Sequence, residues 1–273
     1  MMRRVLVACA ALLLPASSAD VAREEHGSLI VAVRSTGGLA LCADKRRITH
    51  DGKHVDDQVK LRRLGPRAVA AHAGLRWAFS GDGTHFFDPA VVLEEVYRRV
   101  GLEDPTALLQ AFAEEVHRRY APMLPSTRPP PGQPDHGGRG HILFTTVVFS
   151  VDKGGRMGIA RVTFRFDEVP PEALRHDVKV FPDQQNVVAF GNTKFLEELL
   201  GARKDTHPEA RKDPGIAAAL SHHEPLLPEK MALRFARRLI VHASRANTAW
   251  PDVSPTSDCG VLRRTGAFDE VKR

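Results

Sequence analysis

Aromatic residues make up only 6% of the 273 residues, with two tryptophans and two tyrosines, and no basic run is interleaved with them. Nucleic-acid surfaces need aromatic stacking platforms beside their cations, so no nucleic-acid partner is expected despite a formal charge of +6. Cysteine is equally sparse. Three are present, none in a Cys-x-x-Cys pattern, which argues against a structural zinc site. No Gly-x-Ser-x-Gly stretch is present, so the nucleophile elbow of the common serine hydrolases is missing. The apolar run from Val5 to Leu14 has ten residues, too few to span a bilayer as a helix. Against these absences stand 42% hydrophobic and 26% charged residues, the balance of an ordinary globular protein rather than a disordered one.

The first 19 residues have the three parts of a secretory signal: Met1-Met2-Arg3-Arg4, the apolar run, and the small residues Ala16 to Ala19 before Asp20. A signal peptide over 1–19 is expected, followed by a short polar propeptide over 20–27. The mature chain is then secreted or periplasmic, with no stable membrane span once the leader is removed. Cys42 and Cys259 remain in it, and the sequence leaves open whether they form a disulfide or two small buried apolar sites.

Gly27-Ser28-Leu29-Ile30-Val31-Ala32-Val33 and Gly38-Leu39-Ala40-Leu41-Cys42-Ala43-Asp44 read as two apolar strands joined by a glycine-containing turn. Asp51 to Asp57 is polar and turn-like, and Val59 to Leu64 and Ala68 to Ala73 add two strands around Gly65-Pro66-Arg67. Asp88-Pro89 and Asp104-Pro105 each start an amphipathic helix. Residues 124–140 are rich in proline and glycine and form an insertion. Strands resume over His141 to Val151 and Arg156 to Phe166, then over Val178 to Pro182 and Asn186 to Gly191. A short helix over Thr193 to Leu200, a charged loop over Ala202 to Pro214, a long helix over Pro228 to Asn247 and a last strand over Cys259 to Arg263 complete the chain. That order predicts an α+β domain over 28–273 built as a four-layer αββα sandwich, two stacked antiparallel sheets with helices on the outer faces.

Ser28 sits at a strand start directly after a glycine and close behind the expected leader. If the chain is cut there, the serine carries a free α-amine, with an ordinary pKa of about 8, able to serve as base for its own hydroxyl. Asp44, Lys60 and Gly74 follow Ser28 at intervals of 16, 32 and 46 residues, with Arg46 two residues beyond the aspartate. Taken singly, Asp44 reads as a surface turn aspartate and Lys60 as a solvated strand lysine. Taken together, Gly27 to Gly74 resembles the start of a proteasome β-type or HslV-like subunit of the N-terminal nucleophile hydrolases.

The resemblance implies an amide or peptide hydrolase that frees its own nucleophile by cutting Gly27–Ser28. It implies Ser28 as nucleophile, Asp44 holding Lys60 charged, Lys60 lowering the pKa of the serine and relaying its proton, and the Gly74 N–H stabilising the oxyanion. Ile48 and Thr49 stand where the family docks substrate backbone, His72 where it selects a side chain, and Asn192 beside the free amine. The family's later acid and serine correspond to Asp252 with Ser254 or to Ser257 with Asp258, the latter preferred because Cys259-Gly260 enters the last strand. Serine replaces the family's threonine, losing a methyl that fixes the rotamer.

Expected substrates are peptides or small amides, and a homo-oligomer, ring or dimer, is the expected assembly. A catalytically silent subunit used for assembly or binding and a small-molecule amidase are the alternatives. No cofactor is called for. The histidine groups His136/His141 and His222/His223 lie in polar surroundings without helical i, i+4 ligand spacing, so no metal site is expected.

Overall fold

The structure is a computed structural model and describes residues 28–48, 53–74, 78–79, 86–102, 104–120, 142–166, 174–183, 185–201, 206–246 and 253–271. The expected leader, propeptide and 124–140 insertion lie outside the described residues.

The chain opens with the hairpin β1 (Leu29–Arg34) and β2 (Gly38–Asp44). A small antiparallel ribbon follows, β3 (Arg46–Ile48) against β4 (His54–Asp56). The stretch read from sequence as a polar turn thus contributes a strand. Next come β5 (Leu61–Gly65) and β6 (Ala68–Gly74), then the short pair β7 (Ala78–Phe79) and β8 (Phe86–Phe87).

Helices α1 (Pro89–Val100) and α2 (Pro105–Tyr120) follow where the Asp-Pro pairs predict them. Asp88 caps α1 by accepting from the N–H of Ala90 at 2.8 Å, and Pro89 occupies the first turn, where its missing N–H costs nothing. Strands β9 (Ile142–Val151), β10 (Met157–Phe166), β11 (Leu174–Phe181) and β12 (Val187–Gly191) come next. They are followed by α3 (Lys194–Leu200), α4 (Pro208–Lys212), α5 (Pro214–Leu220) and α6 (Glu229–Ala246), and β13 (Ser257–Arg263) and β14 (Phe268–Glu270) close the chain. The sequence reading starts β11 four residues late and has no counterpart of α4, α5 or β14.

Two five-stranded sheets result, ordered β12-β1-β2-β13-β14 and β11-β10-β9-β6-β5, with antiparallel neighbours throughout. The architecture is α+β, and the apolar residues sort into three clusters by strand alternation. Leu29, Val31, Val33, Ala40 and Cys42 meet α6, through Phe235, Ala236, Leu239 and Ile240. Their alternates Ile30, Ala32, Leu41 and Ala43 meet Val69, Ala71, Val147 and Phe149 of the second sheet. The other face of that sheet, with Ala70, Val148, Val162 and Phe164, receives Leu93, Leu109 and Phe112 of α1 and α2.

Because both faces of each central strand are covered, LIVAV reads as an unbroken apolar run instead of an alternating one. Cys42 stands opposite Cys259 in the β2–β13 register, with their Cα atoms 4.2 Å apart, and the two form a disulfide. The alternative of two free buried thiols is thereby settled.

Candidate active site

Asp44 ends β2, and the hairpin register carries it back across the start of β1. Its carboxylate is fully buried and takes four donors. Oδ1 accepts the Leu29 N–H at 2.7 Å and the Lys60 ammonium at 2.7 Å; Oδ2 accepts the Arg46 N–H at 2.9 Å and the Ser254 N–H at 3.2 Å. A buried carboxylate is tolerable only when its lone pairs are met in this way.

Lys60 lies immediately before β5, on the second sheet, with its side chain 1% exposed. Its ammonium donates to Ser28 Oγ at 2.8 Å as well as to Asp44, so the lysine joins the residue preceding β1 to the end of β2. Burial pushes the Lys60 pKa down, Asp44 and the more distant Asp56 push it up, and Arg46 adds to the lowering. The net shift is downward, toward a lysine that exchanges protons more readily than a solvated one.

Ser28 is held from the other side by β12. Its carbonyl accepts the Asn192 N–H at 2.8 Å. That approach depends on Gly191, whose φ of +90° is in the region that favours glycine and where an added Cβ would fall 1.7 Å from the Ser28 carbonyl oxygen. Asn192 therefore reaches Ser28 through its backbone.

Arg46 has a second role through its guanidinium, which binds Asp56 with Nε at 2.8 Å and a terminal nitrogen at 3.0 Å. Arg46 also stands opposite Asp56 in the β3–β4 ribbon. Hydrogen bonding to Arg46 lowers the Asp56 pKa against the effect of its partial burial, and Ser254 and the charges of Arg46 and Lys60 act in the same direction. Asp56 has no part in the sequence reading. The signal that would find it is a register signal, the ten-residue offset from Arg46 across a two-stranded ribbon.

On the loop before β13 it is Ser254 whose backbone touches Asp44, while its hydroxyl bonds Thr256 at 2.7 Å. Ser257 lies opposite Asp44 in register, with its hydroxyl 3.6 Å from the Cys259 sulfur, and Asp258 pairs with Lys45 at 3.3 Å. Of the two expected acid–serine pairs, the recorded contact to the Asp44–Lys60 centre is thus made from Ser254. Asp252 lies outside the described residues.

Gly74 ends β6 opposite Phe144, exposed, with φ of +93°. An added Cβ there would come 2.7 Å from the Leu143 carbonyl oxygen, so the strand can end in this turn only at glycine. His72 is 6% exposed on the face of β6 that carries Ala70, not the face of Ala71 and Ala73, and its Nδ1 lies 2.9 Å from Thr146 Oγ1. Ile48 ends β3, its backbone paired with His54, while Gly27 and Thr49 fall outside the described residues. Among the described residues no group of three His, Cys, Asp or Glu side chains is placed to hold a metal ion, and no helix is long and apolar enough to cross a membrane.

The structure brings Ser28, Lys60 and Asp44 into one continuous hydrogen-bonded chain with Arg46 and Ser254 behind it. Chemically this is a hydroxyl beside a desolvated amine whose charge is balanced by a fully bonded carboxylate, the arrangement that activates a weak nucleophile. No protein-family model matches the chain, and no curated protein was found to match it.

Proposed function

We propose that the chain is an amide-bond hydrolase of the N-terminal nucleophile type, acting on peptides, with Ser28 as nucleophile once the Gly27–Ser28 bond has been cut. The observation that carries this reading is the placement of the Lys60 ammonium, 2.8 Å from Ser28 Oγ and 2.7 Å from Asp44 Oδ1, inside the protein. A purely structural lysine–aspartate pair has no need of a serine hydroxyl directly before the first strand. The two sheets and their flanking helices are read on the same basis as the four-layer αββα sandwich of that class.

In the uncut chain the Ser28 nitrogen is an amide and cannot act as base, so Lys60, whose pKa burial lowers, takes the hydroxyl proton from its neutral amine form and becomes the ammonium. Ser28 Oγ attacks the Gly27 carbonyl, the C–N bond breaks, and the acyl group passes from nitrogen to oxygen as an ester. The nitrogen leaves as an amine carrying the transferred proton. Water then hydrolyses the ester, giving a Gly27 carboxylate and restoring the Ser28 hydroxyl. With the amine free, the same cycle runs on a substrate amide: proton from Oγ to the α-amine, acyl-enzyme on Oγ, proton to the leaving amine, hydrolysis by water. Asp44 keeps Lys60 in place and balances its charge whenever the amine is protonated. Gly74, with its N–H at the open end of β6, is the proposed oxyanion donor.

An oxidising compartment, secreted or periplasmic, is part of the same proposal and is supported by the Cys42–Cys259 disulfide. The activity test compares wild type, Ser28→Ala and Lys60→Ala on a set of peptides ending in a fluorogenic amide. Wild type turns over at least one of them, and each variant loses about a thousandfold or more in kcat/KM. Equal rates in wild type and Ser28→Ala sink the reading.

A further inference from the structure

The two five-stranded sheets leave four edge strands, and β11 is the longest of these, at eight residues against five for β5 and β12 and three for β14. It is the last strand of its sheet, so among the described residues its outer backbone groups have no strand partner. A long edge of that kind is a template for another strand unless its side chains forbid the pairing. The side chains of β11 divide between two faces. Leu174 and Val178 turn toward α2, as does His176, whose Nδ1 lies 2.8 Å from His117 Nε2, and Val180 continues that row at 54% exposed. Arg175, Asp177, Lys179 and Phe181 form the other face, where Phe181 packs against Phe190 with ring centroids 5.2 Å apart.

We propose that β11 pairs antiparallel with β11 of a second copy of this chain about a two-fold axis through Val178, joining two five-stranded sheets into one of ten strands. An isologous contact of this kind requires a self-complementary strand, and the sequence of β11 is self-complementary in that register. Asp177 meets the partner's Lys179 on both sides of the axis. The exposed Val180 meets the partner's His176, and Phe181, whose ring already carries Arg161 at 5.6 Å and Lys179 at 5.4 Å of its own chain, stands opposite the partner's Arg175. Like residues on one face must oppose one another, so the register can change only by moving the axis along whole residues. An axis at Asp177 sets that carboxylate against the partner's Asp177 and Arg175 against the partner's Lys179. An axis at Lys179 sets two ammonium groups together. Both arrangements are repulsive. An axis at His176 matches Arg175 with the partner's Asp177 but pairs only the Leu174 to Val178 part of the strand, leaving Lys179, Val180 and Phe181 without partners. The charges on this edge therefore select one register instead of blocking all of them.

The proposal does not depend on the chemistry of Ser28, and its test is the oligomeric state of the full chain by sedimentation. Wild type is expected to be a dimer at about 10 µM. Asp177→Lys and Lys179→Asp each convert two attractive pairs into repulsive ones and are expected to weaken dimerisation roughly thirtyfold. The double variant Asp177→Lys/Lys179→Asp restores both pairs and should be a dimer again. An equimolar mixture of the two single variants should give a mixed dimer, since one chain then offers only lysines and the other only aspartates at these positions. Both positions changed are exposed on an edge strand, so folding is retained, and the rescue in the double variant and the mixture controls for it. A wild type that remains monomeric at about 100 µM, single variants that dimerise like wild type, or a double variant and mixture that fail to regain the dimer each overturn the proposal.

Discussion

Asp44 is where the local chemistry of the site converges. Each of its carboxylate oxygens takes two donors, and three of the four are backbone N–H groups, the fourth being the Lys60 ammonium. Behind it, Asp56 acts on Lys60 at longer range. Its negative charge raises the lysine pKa, so replacing it by asparagine removes that support and leaves the Arg46 charge, which lowers the pKa, less balanced. Asp56→Asn is therefore expected to let Gly27–Ser28 cleavage, the step in which Lys60 is the base, set in at lower pH, read from the rate of processing against pH; a shift to higher pH contradicts the assignment. Gly191→Ala tests the other flank. Its φ of +90° and the 1.7 Å approach to the Ser28 carbonyl make an alanine both strained and obstructed, at a cost of about 2–4 kcal/mol. Urea unfolding would read that loss, together with slower processing. Ser28, Asp44 and Lys60 were legible in the sequence only through the resemblance that their joint intervals of 16 and 32 residues carry, since taken singly the aspartate and the lysine read as surface residues. Asp56 and Ser254 were not, because the first depends on a three-residue ribbon hidden in a polar stretch and the second contributes a backbone N–H, which no side-chain pattern announces.

Among the elements, the segment from α4 to α6 is held by a polar joint as well as by the apolar cluster that Ala210, Ile216 and Ala219 share with α6. Asp213 caps α5, accepting the N–H groups of Gly215 at 2.9 Å and Ile216 at 3.2 Å, and binds Arg238 and, at 3.2 Å, His242 of α6. Burial pushes the Asp213 pKa up, but these donors outweigh it and hold the carboxyl well below the ordinary carboxylate range. A group with a lowered folded-state pKa stabilises the fold above its unfolded value of 3.8 and loses that contribution as pH falls below it. Asp213→Asn is expected to cost about 1–3 kcal/mol at neutral pH, with the gap to wild type narrowing progressively as pH falls from about 4 to about 2 in thermal melts. A gap that stays constant over that range contradicts the ion-pair account. On the opposite strand pair, the Cys42–Cys259 bridge closes a separation of 217 residues. Replacing both cysteines by alanine should lower stability by roughly 2–5 kcal/mol in urea unfolding; an unchanged midpoint would mean that the bridge does not constrain the unfolded chain. The helices with caps and several turns, α1, α2 and α6, were readable from apolar spacing. Five-residue α4 lies within the charged, proline-containing stretch from Ala202 to Pro214 that reads as loop, and α5, PGIAAAL, is one short apolar run after a proline and a glycine with no polar face to mark a helical period.

For the whole molecule, the apolar residues form three clusters, one that joins residues of both sheets and one that joins each sheet to helices. This arrangement carries Ser28 and Asp44 on one sheet and Lys60 on the other, so the proposed site exists only when the two sheets are stacked. Runs of strand signals separated by runs of helix signals made the α+β class legible. The strand order was not, since the pairing of β1 with β12 and of β2 with β13 joins segments about 150 to 220 residues apart that share no local pattern. The most direct test of the central claim is the N-terminal sequence and intact mass of the purified protein, wild type beside Lys60→Ala. A wild type that begins at Ser28 while Lys60→Ala retains Gly27 is the predicted result. A wild type still joined through the Gly27–Ser28 bond, with Ser28 blocked as an amide, contradicts it.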